Sequence, residues 1–379
     1  MEQTGIPCTF MRGGTSKGMF FRWEDLPERA ADRDRFLCAA VGSPDPYGRQ
    51  LDGMGGGISS LSKAMLVRRS DRDGVDIDYL FAQIVVDKAE VDYGGNCGNL
   101  SAAVGAFAVD QGLVQLPDGP GRVRMFNENT AKRIDCHVHV RHGRAAVAGD
   151  QCIAGVPTQG APIRLEFLDP GASKTTTLLP TGGAAKAFEI GGTVYTVSFI
   201  DAANPCVFVA ASAFGLTATE MPQNLSTELA LDELERIRTA VARDWDDWSH
   251  PHPIFRGGAS VPKIAIVGPA ADSEMLSGDI LKAEDCDVQV RMISMGKPHL
   301  AIPLTGAMCT AVAARIANSV VADLARTVPE GEPLRIGTPS GVVPAMADVR
   351  QTHGGPHAVS ASVYRTARTL MEGRVFALI

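Results

Sequence analysis

The sequence predicts an α/β protein of the α+β kind built from two similar halves, and three matched features in the same order along the chain predict it. Residues 6–22 and 194–209 both read as an apolar strand, a polar tip and a second apolar strand. The run Ser60-Leu61-Ser62-Lys63-Ala64-Met65-Leu66-Val67 is echoed by Ser260-Val261-Pro262-Lys263-Ile264-Ala265-Ile266-Val267. A loop feeding a small-residue helix follows Cys97 and recurs over 301–314. Each echo alone would be chance; three in one order make an internal repeat. A hinge is expected around 180–195. It divides the chain into domains 1–185 and 186–379, with the last strand free to pair back onto the first domain.

Composition sets the outer limits. At 379 residues the chain can hold two domains with full cores, and 45% hydrophobic against 21% charged residues is a globular balance. No run of about 18 apolar residues offers a membrane helix, and no signal-peptide pattern opens the chain, so a cytoplasmic location is expected. Eight cysteines without a CxxC pair argue against a zinc site and against a disulfide framework. A net charge of −7 argues against a nucleic-acid footprint. An anionic ligand would therefore be held locally, by amides and a few Lys or Arg.

Taken in order, residues 6–22 form a hairpin whose tip carries Arg12, Thr15, Ser16 and Lys17. Such tips are usually solvated turns, yet Arg12 beside Gly13-Gly14 offers a guanidinium fork for a carboxylate. Residues 24–41 read as a scaffold helix, with apolar positions amid charges. The glycines of Asp52-Gly53-Met54-Gly55-Gly56-Gly57 fit neither GxxxxGK[ST] nor GxGxxG, which rejects a nucleotide fold. Lys63 then opens an apolar strand. A lysine there usually faces solvent, but in a dry pocket burial would strip its proton and make it a base.

Residues 77–91 are strand-like and lead into Asp92-Tyr93-Gly94-Gly95-Asn96-Cys97-Gly98-Asn99, a tight loop running into the helix from Leu100 to Phe107. That places one thiol at a helix N-terminus, where unpaired amides and the dipole favour thiolate and bind anionic oxygens. An incidental cysteine in a glycine turn is the bland alternative. Short strands follow over 122–148. His137 and His139 alternate along one of them and share a face, but no third ligand is spaced to complete a metal set, so an outer strand face is the better reading. In the second half a helix is expected over 227–244. The aromatic and acidic loop 245–253 reads as a surface lid or interface, and 358–379 as alternating strand.

Several of these motifs together resemble the PrpF family. They are Met11-Arg12-Gly13-Gly14-Thr15-Ser16-Lys17-Gly18, Gly42-Ser43-Pro44-Asp45-Pro46-Tyr47 with Asp52-Gly53-Met54-Gly55-Gly56, Gly95-Asn96-Cys97-Gly98-Asn99, and Ser294-Met295-Gly296-Lys297-Pro298-His299 with Thr305-Gly306-Ala307. They span nearly the whole chain. The resemblance implies the diaminopimelate-epimerase-like fold: two pseudo-symmetric domains, each a mixed sheet wrapped around a central helix, with the active site between them. It also implies a cofactor-free isomerase of unsaturated di- and tricarboxylates, of the 2-methylaconitate isomerase or 4-oxalomesaconate tautomerase type, and the first branch is the nearer match.

By the same resemblance the acting lysine and cysteine correspond to Lys63 and Cys97. The related epimerases use two facing thiols, and alignment on Thr305-Gly306-Ala307 puts Pro303 where the second would stand; Cys309 lies further along the helix. Two-thiol racemisation is thereby disfavoured. The expected chemistry is removal of a C–H proton next to a conjugated acid and its return at the other end of the allylic system. Neutral Lys63 is the expected base and Cys97 the acid or relay, with the reverse assignment open.

Carboxylate contacts are expected from the amides of Gly95, Asn96, Gly98 and Asn99 and of Thr305, Gly306 and Ala307, with Arg12, Ser16 and His299 as further contacts. No metal or cofactor is called for. The partners are a small polycarboxylate and, from the frequency of symmetric dimers, a second copy of the chain. Two competing readings remain: a hydrolase with a Cys97–His299 dyad, which would accumulate an acyl-enzyme, and a non-catalytic carboxylate-binding protein, which would bind without solvent exchange.

Overall fold

The computed structural model describes residues 3–93, 96–153, 155–225, 228–245, 261–294 and 296–378. The chain divides into two compact units, Met1–Glu166 with Tyr364–Ile379, and Phe167–Val363. Residues 167–185, expected in the first half, therefore pack within the second unit.

In the first unit the elements are β1 (Gln3–Gly13), β2 (Ser16–Arg22), α1 (Ala30–Val41), β3 (Lys63–Arg69), β4 (Ile77–Ile84), β5 (Val91–Asp92), α2 (Gly98–Asp110), β6 (Gly119–Asn127) and β7 (Lys132–Arg141). Short strands β8 (Arg144–Ala145), β9 (Gln151–Ile153) and β10 (Val156–Gly160) follow, and β11 (Ile163–Leu168) leads out of the unit. The second unit holds β12 (Lys186–Ile190), β13 (Thr193–Ala202), β14 (Asn204–Ala210), α3 (Pro222–Leu225), α4 (Glu228–Asp244), β15 (Lys263–Pro269), β16 (Ser273–Glu274), β17 (Ile280–Leu281), β18 (Val288–Ser294) and β19 (Lys297–Pro298). Then come α5 (Leu304–Ala313), α6 (Val320–Leu324), β20 (Leu334–Thr338), β21 (Gly341–Thr352) and β22 (Gly355–Arg365). Finally β23 (Ala367–Leu378) returns to the first unit and pairs antiparallel with β1, Gln3 opposite Leu378.

The repeat read from the sequence is a repeat of topology. The first sheet runs β23-β1-β2-β3-β4-β6-β7 with neighbours antiparallel, antiparallel, parallel, antiparallel, parallel and antiparallel. The second runs β12-β13-β14-β15-β18-β20-β21 in the same sequence of senses. In each a helix follows the short strand after the fifth position, α2 in one and α5 in the other.

These two helices are apolar on every side, so neither has a face to give to water and each must be enclosed. Residues Leu100–Val109 of α2 are all buried, packed against β1, β2, β3, β7 and β23. Burying Leu100, Val104 and Phe107 stabilises by about 1.5–3 kcal/mol each. The opposite face of the first sheet carries α1, whose Phe36, Leu37 and Val41 join Phe10, Phe21 and Val375 in a separate core.

Two expectations are corrected. The helix expected over 24–41 is a 3-10 turn at Trp23–Asp25 followed by α1 from Ala30, because Pro27 holds Leu26 extended at φ −91°, ψ 157°. Trp245, expected in a surface loop, is buried with Ile237 and Val241; residues 246–253 of that loop lie outside the described residues. Among the described residues no helix is long and apolar enough to cross a membrane.

The closeness of α2 to the sheet can be tested at Gly105. A Cβ there would come 2.5 Å from Cys136 Sγ. Gly→Ala inside a helix ordinarily stabilises by about 1 kcal/mol; here overpacking should reverse the sign, and Gly105→Ala should lose about 1–3 kcal/mol in urea unfolding.

Candidate active site

The site grows from the start of α2. Cys97 is its N-cap residue, with extended backbone (φ −111°, ψ 91°) and no side-chain capping bond, so the thiol does not occupy the first-turn amides. Its carbonyl accepts from Ser101 N at 2.9 Å and from Ser101 Oγ at 3.0 Å. Ser101 in turn meets the Tyr79 hydroxyl at 2.9 Å and Asn96 Oδ1 at 3.4 Å. The helix start is thus fastened from inside the sheet.

The hairpin between β1 and β2 is pressed onto that start, and glycine makes this possible. A Cβ on Gly13 would stand 2.6 Å from the Asn99 carbonyl oxygen. Gly14, at φ +51°, would place one 2.2 Å from Asn99 Oδ1. The approach brings buried Ser16 to 3.8 Å from Cys97 Sγ. Asn99 is a bracket: its amide nitrogen donates to Thr15 Oγ1 at 3.0 Å and its oxygen accepts from Arg365 Nε at 3.1 Å.

Lys63 opens β3 beside Gly18, whose missing side chain leaves room for the Lys63 carbonyl; a Cβ would lie 2.5 Å from it. The lysine is 8% exposed. Its Nζ donates to Gln83 Oε1 and sits 5.0 Å from the centre of the Phe81 ring. Burial pulls its pKa below the usual lysine value, and a negative charge on Cys97 acts in the opposite sense.

The structure gives Arg12 a different task from the one its sequence context suggested. Its Nη1 donates to the carbonyls of Gly14 and Thr366 and its Nη2 to Thr366 Oγ1, each at 3.0 Å, so the fork ties the hairpin tip to the start of β23. Gly98 and Asn99 contribute the first turn of α2 and Asn96 the residue before Cys97; Gly95 lies outside the described residues.

Two residues missed in the sequence join this group. Gln83 reaches Lys63 through cross-strand register, Lys63 being its direct partner on β3. Arg365 is held by Asn99 and by the Tyr364 carbonyl, at 2.8 Å, and burial lowers its pKa to about 10. Its hydrogen bonds go to neutral oxygens.

His299, Thr305, Gly306 and Ala307 lie in the second unit. His299 Nδ1 accepts from Ala301 N at 3.0 Å, which leaves the proton of a neutral ring on Nε2. Its pKa is lowered by burial and by the charge of Lys263. Lys263 is itself lowered by burial. Pro303 is the N-cap of α5, the place Cys97 holds on α2. The Ala307 amide donates to the Pro303 carbonyl at 2.9 Å and is engaged within the helix. Gly306 is required by Met292, whose Sδ a Cβ would approach to 2.6 Å.

The metal question at His137 takes a new form. The fold brings Asp135 and Glu166 to it, all within 4.8 Å. It also brings Arg164, 3.4 Å from Glu166 and 3.1 Å from His137 Nε2, while Arg122 pairs with Asp135 at 3.3 Å. Fixed cations already balance these carboxylates, and the cluster reads as a charge network.

Two tests follow from the geometry. Alkylation of the native protein with iodoacetamide should label half-buried Cys97 and exposed Cys152 and spare the six buried thiols, read by peptide mass spectrometry; labelling of Cys206 or Cys309 in the native state would contradict the packing. The second concerns stability. Because the folded pKa of Lys63 lies below its unfolded value, the unfolded chain binds more protons between the two, so wild-type stability rises with pH across that window. Lys63→Met should be more stable than wild type in urea at neutral pH, with the advantage shrinking toward pH 10.5.

Comparison with known proteins gives the family model described as "PrpF protein" a match over residues 3–378. The chain is 39% identical to a 2-methyl-aconitate isomerase of Shewanella oneidensis, over 98% of this chain and 97% of that protein. It is 40% identical to a (4E)-oxalomesaconate Delta-isomerase of a Novosphingobium species, over 98% and 97%. The crystal structure of a methylitaconate-delta-isomerase superposes with a TM-score of 0.91 at 36% identity, covering 100% of this chain and 96% of that one.

Proposed function

The chain belongs to the PrpF family and is an isomerase; we propose that it acts without a cofactor on unsaturated di- or tricarboxylates, with 2-methylaconitate or aconitate as the first candidates. The observation that carries this reading is the buried Lys63 amine, held by Gln83, in the same unit as Cys97 at the start of α2, in a chain similar from end to end to isomerases of conjugated acids.

In the reaction, neutral Lys63 removes an allylic proton and becomes an ammonium group. The C–H electron pair spreads over the double bond and the adjoining carboxylate as a dienolate. First-turn amides of α2, at Gly98 and Asn99, stabilise the added negative charge where it develops. Cys97 delivers or relays a proton to the other end of the allylic system, or to the same carbon after rotation. Either return leaves Cys97 as thiolate and Lys63 as ammonium, and passage of that proton from Lys63 to Cys97 regenerates the enzyme. Arg365, a cation fixed by neutral oxygens beside Asn99, is the side chain we assign to a substrate carboxylate. Ser16 orients the Cys97 thiol.

A 4-oxalomesaconate-type tautomerisation uses the same proton steps and is the alternative substrate reading, supported by the relative named for that substrate. We place the enzyme in the cytoplasm, where its eight free thiols would stay reduced, and take a symmetric homodimer as its assembly.

The test is proton NMR in D₂O with 2-methylaconitate, cis- and trans-aconitate and 4-oxalomesaconate. Deuterium should enter an allylic carbon of one of them, and Lys63→Ala and Cys97→Ser should each slow that exchange by about 10²-fold or more. Full turnover in Lys63→Ala would refute the assignment.

A further inference from the structure

We propose that Gln83 is a positioning residue for the Lys63 base, a neutral acceptor that fixes the buried amine without supplying a counter-charge. The inference rests on the reading of Lys63 as the base. Gln83 stands directly opposite Lys63 in the antiparallel β3–β4 ladder and on the same face. Its amide nitrogen donates to the carbonyls of Ser62 at 2.9 Å, Ser59 at 3.2 Å and Ile84 at 3.3 Å. Carbonyl oxygens accept only the NH₂ end of the amide, so its orientation is determined and Oε1 must face Lys63 Nζ, with which it is bonded.

The chemical value of an amide at this place lies in what it lacks. A buried amine needs an acceptor for its N–H bonds, and a carboxylate would provide one while holding the proton on the nitrogen. Gln83 satisfies the amine and leaves it free to act as a base. From the described elements packed around Lys63, the group whose charge acts on it is Cys97 on α2, while Asp92 on β5 stands opposite Gln83 on the side of β4 away from Lys63. Asp110 ends that helix at its far side. Arg22 on β2, Arg68 and Arg69 on β3 and Asp78 on β4 lie at the other end of their strands, followed by Glu24 and Asp25, while Lys17 on β2 turns to the opposite face over the Phe10 ring.

The second unit offers a comparison. Lys263 takes the place of Lys63 at the start of β15, where Cys206 on β14 is its ladder partner. Gln83 belongs to the unit that also carries Cys97.

The experiment is the pH dependence of deuterium exchange in Gln83→Glu and Gln83→Leu, beside wild type and Lys63→Ala, with thermal melts to verify folding. The near-isosteric Gln83→Glu should move the rising limb of kcat to higher pH by about 1–3 units, as expected for an opposite charge within hydrogen-bond reach. Its exchange at neutral pH should drop about tenfold or more and recover at alkaline pH, with KM little changed. Gln83→Leu should lower kcat at every pH without moving the limb upward. A Gln83→Glu limb coincident with wild type, in an enzyme that Lys63→Ala abolishes, overturns this inference and leaves the base assignment standing. Full exchange in Lys63→Ala overturns both.

Discussion

A helix with no polar face must be surrounded, and the first unit is arranged around that constraint. Leu100 to Val109 of α2 bury every side chain, so the sheet from β23 to β7 curves around them. Once the helix body is enclosed, its N-terminus is the one end where backbone polarity can be offered to a ligand. Cys97 caps that end without its thiol bonding to the first-turn amides. Gly13, Gly14 and Gly18 then lack side chains where the hairpin and β3 must come nearest. The exposed helix start at Cys97 is thus a by-product of how an apolar helix is packed.

The second consequence is a costly lysine. Nothing in the ladder demands a cation at the first position of β3, and burying one there opposes folding at neutral pH. Such a cost is tolerated where an unprotonated amine is useful. The second unit shows how far the same frame can drift from this use. Pro303 replaces Cys97 at the helix start, and Cys206 stands beside Lys263 where Gly18 stands beside Lys63.

What was legible in the sequence is what depends on neighbours along the chain. The small-residue helices, the glycine loops and the lysine-led strands announce themselves within a dozen residues, and their recurrence gave the two-part α+β fold. The tie that Arg12 makes to Thr366 is not legible, because that partner is 354 positions away, on a strand that no local pattern ties to the first hairpin. Gln83 was overlooked because only the register of β3 against β4 sets it opposite Lys63. Arg365 reads as an ordinary residue of an alternating strand until Asn99 is placed beside it. Trp245 looked like part of a lid because its acidic neighbours masked a helix end that is buried in the second core.

The account turns on Lys63 being uncharged often enough to act as a base, and that can be observed without any substrate. With lysine Nζ labelled by ¹⁵N and Lys63→Arg used to assign its signal, an NMR titration of the resting enzyme reads its proton directly. The account predicts a midpoint below the usual 10.5. A midpoint at or above that value would mean that Lys63 stays an ammonium ion, and the mechanism built on it would have to be abandoned.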